Sequence, residues 1–168
     1  MEATVLPSMN ISAETMGCCP KFNPEGWGSR HLNFKDKRFV RATTRSVLHV
    51  PINMGSVFSR VQEHIEDAAV QDADSYLTLS RDLSSSESEH YLAVTGDVAD
   101  EEMTTLSGDF ITRVFERSYR HARDWMHAMK TAAEAAGYTA KQFFMFYTTC
   151  LTCAKAYGKN YVVDFAEI

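Results

Sequence analysis

The sequence predicts an α+β fold of two tandem, pseudo-symmetric strand-helix-strand-strand units. Both helices would lie on one face of an antiparallel sheet. Three observations carry this. The apolar spacing switches between the period of a strand and that of a helix. The order of those switches is the same in residues 39–95 and in residues 109–167. Neither unit alone can bury both an apolar helix stripe and a sheet, whereas two side by side can share one sheet.

The elements follow in order. Residues 1–38 form an N-terminal tail with a CCPKF segment. The start, MEATVLPSMNISAETMG, has no basic stretch followed by an apolar block, so it does not read as an export signal and the protein is expected in the cytoplasm. The first unit, 39–96, opens with FVRATTRSVLHV (Phe39–Val50), a β-branched strand that Pro51 ends. The next segment places Val57, Phe58, Val61, Ile65 and Ala68 on one helical stripe, with Asn53 or Ser56 as its cap. Two short strands, Tyr76–Ser80 and His90–Thr95, flank the polar loop RDLSSSESE.

An acidic linker, 97–108, leads to the second unit, 109–168. Asp109–Phe115 alternates as a half-buried strand does. Tyr119–Ala136 reads as a helix with Ala122, Trp125, Met126, Met129 and Ala133 on one face, and Gly137 sits where a left-handed cap belongs. Gln142–Thr148 and Tyr161–Glu167 complete the unit as strands. In QFFMFYT, Phe143, Met145 and Tyr147 point one way and Phe144 and Phe146 the other, so both faces are apolar. Phe144 and Phe146 can fill the space beneath the helices. The other face needs a ligand or a covering layer: a pocket, a core layer under the N-terminal segment, or the interface of a homodimer.

Composition narrows the partners. Asp and Glu outnumber Lys and Arg by 22 to 17, and the net charge of −5 disfavours a broad phosphate-binding surface, so nucleic acid is not an expected partner. No apolar run approaches the roughly 18 residues of a membrane span. The aromatic residues, Phe 10, Tyr 7 and Trp 2, suit a core or a pocket for a small apolar or aromatic molecule. No phosphate-binding Gly loop, G-x-S-x-G elbow or H-E-x-x-H motif is present.

The segment LSGDFITRVFERSYRHARDWMHAMKTAAEAAGY resembles the GyrI-like small-molecule-binding domain family. Phe115, Glu116 and Tyr119 match that family's strand-to-helix turn, and Trp125 its helical aromatic. From Cys18 to the end, the chain is more similar to a bacterial branch often labelled as hydrolases. The marks are CCPKFNPEGW (Cys18–Trp27), PINMG (Pro51–Gly55), FERSY (Phe115–Tyr119) and TTCLTCAKAYGKNYVV (Thr148–Val163). The resemblance implies a cleft between two half-domains for a flat, apolar, often aromatic molecule. Some members only bind; others hydrolyse strained electrophiles with a carboxylate among aromatic side chains. Departures are Arg117 where the turn would hold glycine, Leu151-Thr152 inside C-x-x-C in place of Pro-Lys, and a strand QFFMFYT without the usual Glu.

These residues give a candidate site. Glu116 is the candidate general base, since a carboxylate beside aromatic walls has its pKa raised toward neutrality. Tyr119 and Tyr147 would orient a planar substrate, with Tyr147 also in the catalytic set. Trp125 and Phe143 would contact the ligand, and Trp27 would cover the cleft as a lid. His49 and His90 are further proton carriers. The cysteines suggest zinc as cofactor: C-x-x-C at Cys150 and Cys153 can direct two thiolates at one ion, and Cys18 and Cys19 can complete a tetrahedral site. A redox pair and plain thiols are the other readings of the four. The leading function is a GyrI-like small-molecule-binding protein that hydrolyses reactive compounds in detoxification. The alternatives are a non-enzymatic ligand sensor or sequestering module, and a zinc- or thiol-dependent protein.

Overall fold

A computed structural model describes residues 26–28, 30–71, 77–116, 122–148 and 161–168. In chain order these form β1 (His31–Val47), β2 (Val50–Pro51), α1 (Met54–Ala68), β3 (Thr78–Asp82), β4 (Glu87–Ala93), β5 (Glu102–Glu116), α2 (Ala122–Ala135), β6 (Gln142–Tyr147) and β7 (Tyr161–Glu167). The fold is mixed α+β, with antiparallel strands and two helices. Two compact units emerge: Asp36–Leu106, and Ser107–Ile168 together with the chain up to Lys35.

In the Asp36–Leu106 unit the strands lie in the order β2-β1-β4-β3. His90 at the middle of β4 faces Ala42 of β1 on one side and Ser80 of β3 on the other. Alternation puts Val40 and Ala42 on the same face as His90 and Leu92. The α1 stripe of Val57, Val61 and Ile65 buries itself on that face with Val94 and Val98. Phe58 is partly buried there, whereas Ala68 lies outside the stripe, exposed.

Several boundaries differ from the sequence reading. The first strand does not run on to Val50. The chain reverses at Leu48 and His49, both at positive φ (47° and 65°), and Val50–Pro51 pairs back on Ser46–Val47. Pro51 is tolerated because β2 is the edge strand of this set and needs no further amide donor. Asn53 stands at the α1 N-cap position without a side-chain cap bond; its Oδ1 instead accepts the Arg45 amide at 2.7 Å. β4 begins at Glu87, so Glu89 belongs to a strand and not to the polar loop. The linker's second half is the start of β5, which begins at Glu102.

In the second unit β7 lies between β6 and β5, antiparallel to both. Asp164 faces Met145 on β6 and Arg113 on β5. Trp125 packs on Met145 and Val162, with Phe115 and Tyr147 at its edge. The helix therefore covers the Met145–Tyr147 face, opposite to the expectation that Phe144 and Phe146 would lie beneath it. Those two are fully buried on the reverse face, in an aromatic layer with Trp27, Phe34, Phe110 and Phe165. The reversal has a simple source: residues from before β5 supply a cover that strand alternation cannot reveal. On α2, Trp125, Met129 and Ala133 are buried as the stripe requires, but Met126 is exposed. Gly137 takes the left-handed conformation at φ 85°.

Candidate functional site

Asp164 is the feature that folding economy does not explain. It is the fourth residue of β7, 2% exposed, and neither carboxylate oxygen has a hydrogen-bond partner among the described residues. Burial pushes its pKa up to about 7, because a low-dielectric site penalises the charged form. Its register neighbours place it on the sheet face that carries Met145, Val162 and Phe115 and that Trp125 covers. A carboxyl in that setting exchanges a proton near neutrality, beside aromatic and thioether surfaces suited to an apolar molecule.

The sequence-predicted residues distribute around this face unevenly. Trp125 stacks on Phe115 with centroids 5.5 Å apart. Tyr147 donates its hydroxyl to Met145 Sδ at 3.2 Å. Phe143, across from Ala166, shares the face by alternation and is partly buried. Glu116 ends β5 across from Tyr161 and is exposed. Trp27 is 1% exposed, with its ring edge-on to Phe146 and Phe165 at 5.7 and 5.9 Å; Thr112 Oγ1 donates to its carbonyl at 2.6 Å. Tyr119 and the four cysteines, Cys18, Cys19, Cys150 and Cys153, lie outside the described residues. Among the described residues no group of three or more His, Cys, Asp and Glu could hold a metal ion.

Sequence reasoning missed Asp164. It lies within the strand Tyr161–Glu167, where alternation gives it a face but not an environment. The available signal was an Asp flanked by Val163 and Phe165 in a strand without other charges in its interior.

In the Asp36–Leu106 unit His90 and Glu89 are also buried. His90 is fully packed, edge-on to Phe58 at 4.9 Å, with Ser80 Oγ at 2.7 Å from Nδ1 and Thr44 Oγ1 at 2.9 Å from Nε2. Burial pushes its pKa down to about 4, so the ring is neutral and donates through one nitrogen while accepting through the other. Glu89 is 2% exposed and binds two guanidinium groups: Arg41 Nη2 lies at 2.6 Å and Arg81 Nε donates to the other oxygen. Tyr91 donates to that second oxygen at 2.9 Å. Burial pushes Glu89 up, but the bonds from Arg81, Tyr91 and Arg41 hold it below the ordinary carboxylate value. Its neighbour Arg41 also reaches Glu102 at 3.1 Å. His49 did not join His90: it forms an exposed pair with Asp82 at 2.9 Å.

The fold and site thus define a small α+β protein with a buried carboxyl, without a hydrogen-bond partner among the described residues, on a helix-covered sheet face. The chain belongs to the family described as bacterial hydrolase, whose model matches residues 9–168. Among curated proteins none matches. A solved structure of a candidate bacterial transcription regulation protein from Staphylococcus aureus MU50 is similar in fold, with a TM-score of 0.51 at 16% identity, covering 84% of this chain and 98% of that one. A second solved structure, of a protein bound to tetraphenylphosphonium, aligns with a TM-score of 0.48 at 14% identity over 83% of this chain and 92% of that one. No described helix is long and apolar enough to cross a membrane.

Proposed function

We propose that this protein binds small apolar or aromatic molecules and hydrolyses a strained electrophile among them, as a cytoplasmic detoxifying enzyme of GyrI-like type. The observation that carries this reading is Asp164: a buried carboxyl with no hydrogen-bond partner among the described residues and a pKa pushed up to about 7, beside an aromatic face. Membership of the bacterial hydrolase family supports the reaction class. The repeated order β1-α1-β3-β4 and β5-α2-β6-β7 supports the GyrI-like reading of two related units.

The chemistry follows from the protonation state. With an epoxide such as styrene oxide, protonated Asp164 donates its proton to the ring oxygen as that C–O bond breaks. A water oxygen forms the new C–O bond and loses a proton, which returns the carboxyl to its starting state. Trp125 and Phe143 bind the ring of the substrate, and the Tyr147 hydroxyl orients it. Tyr119 belongs to the same proposed binding set; Trp27, packed on Phe146 and Phe165 on the opposite face of the sheet, does not. Glu116 is the second candidate base.

The test is diol formation from styrene oxide by the full chain and its variants. Asp164→Asn is expected to lower the rate at least 100-fold, within the range of a lost general acid. Glu116→Gln retaining full rate assigns the role to Asp164; the reverse pattern assigns it to Glu116. Ligand-induced stabilisation without diol formation by the unmodified chain overturns the enzymatic reading in favour of a sensor or sequestering module.

A further inference from the structure

Asp164 faces a cation across the sheet. Its partner in the antiparallel β5–β7 register is Arg113, and directly opposed strand residues point to the same face. Their Cβ atoms then stand about 4.5–5.5 Å apart, a gap shorter than an arginine side chain. Yet the two groups are not joined. Neither Asp164 oxygen has a hydrogen-bond partner among the described residues. The Arg113 guanidinium instead lies over the Phe115 ring, 5.7 Å from its centre, and no ion pair among the described residues includes it.

The two side chains differ in exposure. Asp164 is 2% exposed, whereas Arg113 is an exposed residue. A guanidinium over a ring at an exposed site is weakly held. A buried carboxylate without a partner is strongly unfavourable. The arrangement therefore suits a neutral carboxyl, and burial raises the Asp164 pKa to about 7. Once the proton leaves, the balance reverses and the carboxylate draws the nearest cation.

Among the described residues no other cation faces Asp164. β6 presents Met145 and Tyr147, and the Tyr147 hydroxyl donates to Met145 Sδ. β5 adds Phe115, and β7 itself adds Val162 and Ala166. α2 buries Trp125, Met129 and Ala133, while its Asp124, His127, Lys130 and Glu134 are exposed.

We propose that Arg113 is a positioning residue for the reaction centred on Asp164: its guanidinium turns from the Phe115 ring to the carboxylate left when Asp164 gives up its proton. This rests on the hydrolysis reading. The proton passes to the epoxide oxygen as that C–O bond breaks, and the carboxylate regains one from the attacking water. Arg113 transfers no proton; it holds the anion between those steps. By favouring the anion it makes Asp164 a stronger acid.

The experiment follows the Asp164 side-chain carbon by NMR from pH 4 to 9, in the full chain labelled at aspartate, with Asp164→Asn to assign the signal. Arg113→Gln, at an exposed position, is expected to raise the midpoint by about one pH unit or more, the effect of losing an arginine beside a carboxylate. Arg113→Lys is expected to restore part of it. The Arg113 Nε–H signal is expected to move with the Asp164 midpoint in the parent and to stay fixed in Asp164→Asn. The alkaline limb of diol formation from styrene oxide is expected to rise in Arg113→Gln by as much as the midpoint does. An unchanged midpoint in Arg113→Gln, or an Arg113 signal that ignores the ionisation of Asp164, overturns the proposal. A raised midpoint with an unmoved rate profile overturns it as well, by taking the pair out of the reaction. A raised midpoint in a chain that forms no diol overturns the hydrolysis reading instead and leaves the Asp164–Arg113 pair standing.

Discussion

Trp125 of α2 lies over Phe115 of β5 with ring centroids 5.5 Å apart and planes 19° from parallel. This stack, with Met145 and Val162, fastens the helix to its sheet. Trp125→Ala removes the stack and leaves a cavity, and is expected to cost about 3–5 kcal/mol. Trp125→Phe keeps the ring contact and should cost clearly less. Urea unfolding followed by circular dichroism measures both; equal midpoints for the Ala variant and the parent would remove Trp125 from the core.

Asp164 sets a pH dependence whose sign is fixed by its environment. Its pKa rises from 3.8 unfolded to about 7 folded, so the native state binds more protons between those values. Stability therefore falls as pH rises from about 4 to about 7, by at most about 4 kcal/mol. Asp164→Asn removes this slope. The variant is expected to be more stable than the parent at pH 8 and little different at pH 4. Thermal melts across pH 4–8 decide it, and parallel curves would show that Asp164 does not titrate in this range.

His90 acts in the opposite direction over a similar window. Its pKa falls from 6.5 to about 4 in the folded chain, so the unfolded state takes up the proton first. The stability present above pH 6.5 is lost as pH falls toward 4, by roughly 3 kcal/mol. His90→Phe abolishes this acid sensitivity but leaves Ser80 and Thr44 without their ring partner, at about 1–3 kcal/mol. The expected result is a flatter and lower stability curve. A parent-like acid slope in the variant would transfer the effect to other groups.

Glu89, itself 2% exposed, holds two arginines that are each partly exposed. Glu89→Ala leaves the Arg41 and Arg81 charges without their buried acceptor and Tyr91 without its own, at an expected cost of about 3 kcal/mol or more. Arg41 retains Glu102, which softens the loss on that side. A double-mutant cycle of Glu89→Ala with Arg81→Ala measures the coupling; additivity would mean that the pair contributes nothing beyond its packing.

The zinc proposal rests on the sequence spacing of Cys150 and Cys153 with Cys18 and Cys19. One equivalent of zinc per chain is expected in protein prepared without chelator, and Cys150→Ser should lower it. Zinc well below one equivalent would leave the cysteines as thiols or as a redox pair.

Much of the scaffold was legible in the sequence. The α1 stripe at Val57, Val61 and Ile65 and the strand Tyr161–Glu167 follow directly from side-chain periodicity. So does the cap at Gly137, because helix termination is a local matter. Boundaries failed where a distant partner decided them. Glu87–Glu89 reads as loop by composition, yet pairs with Thr43–Arg45 as a strand, since β1 supplies the hydrogen bonds and Arg41 the charge. The candidate site was less legible. The sequence names Trp125, Phe143 and Tyr147 as ligand contacts, but it sets Trp125 over Phe144 and Phe146 instead of the Met145–Tyr147 face it covers, and it does not single out Asp164 at all.

By itself, the sequence determined the order of the elements, the two apolar faces of β6 and the type of each helix face, because these depend on spacing within a few residues. Only the tertiary structure decided which face of β6 lies under α2. Trp27 and Phe34 occupy the other, and they reach it from more than a hundred residues away. It also decided the character of Asp164. A carboxyl's pKa is set by what surrounds it in space, and burial there gives this Asp its near-neutral value.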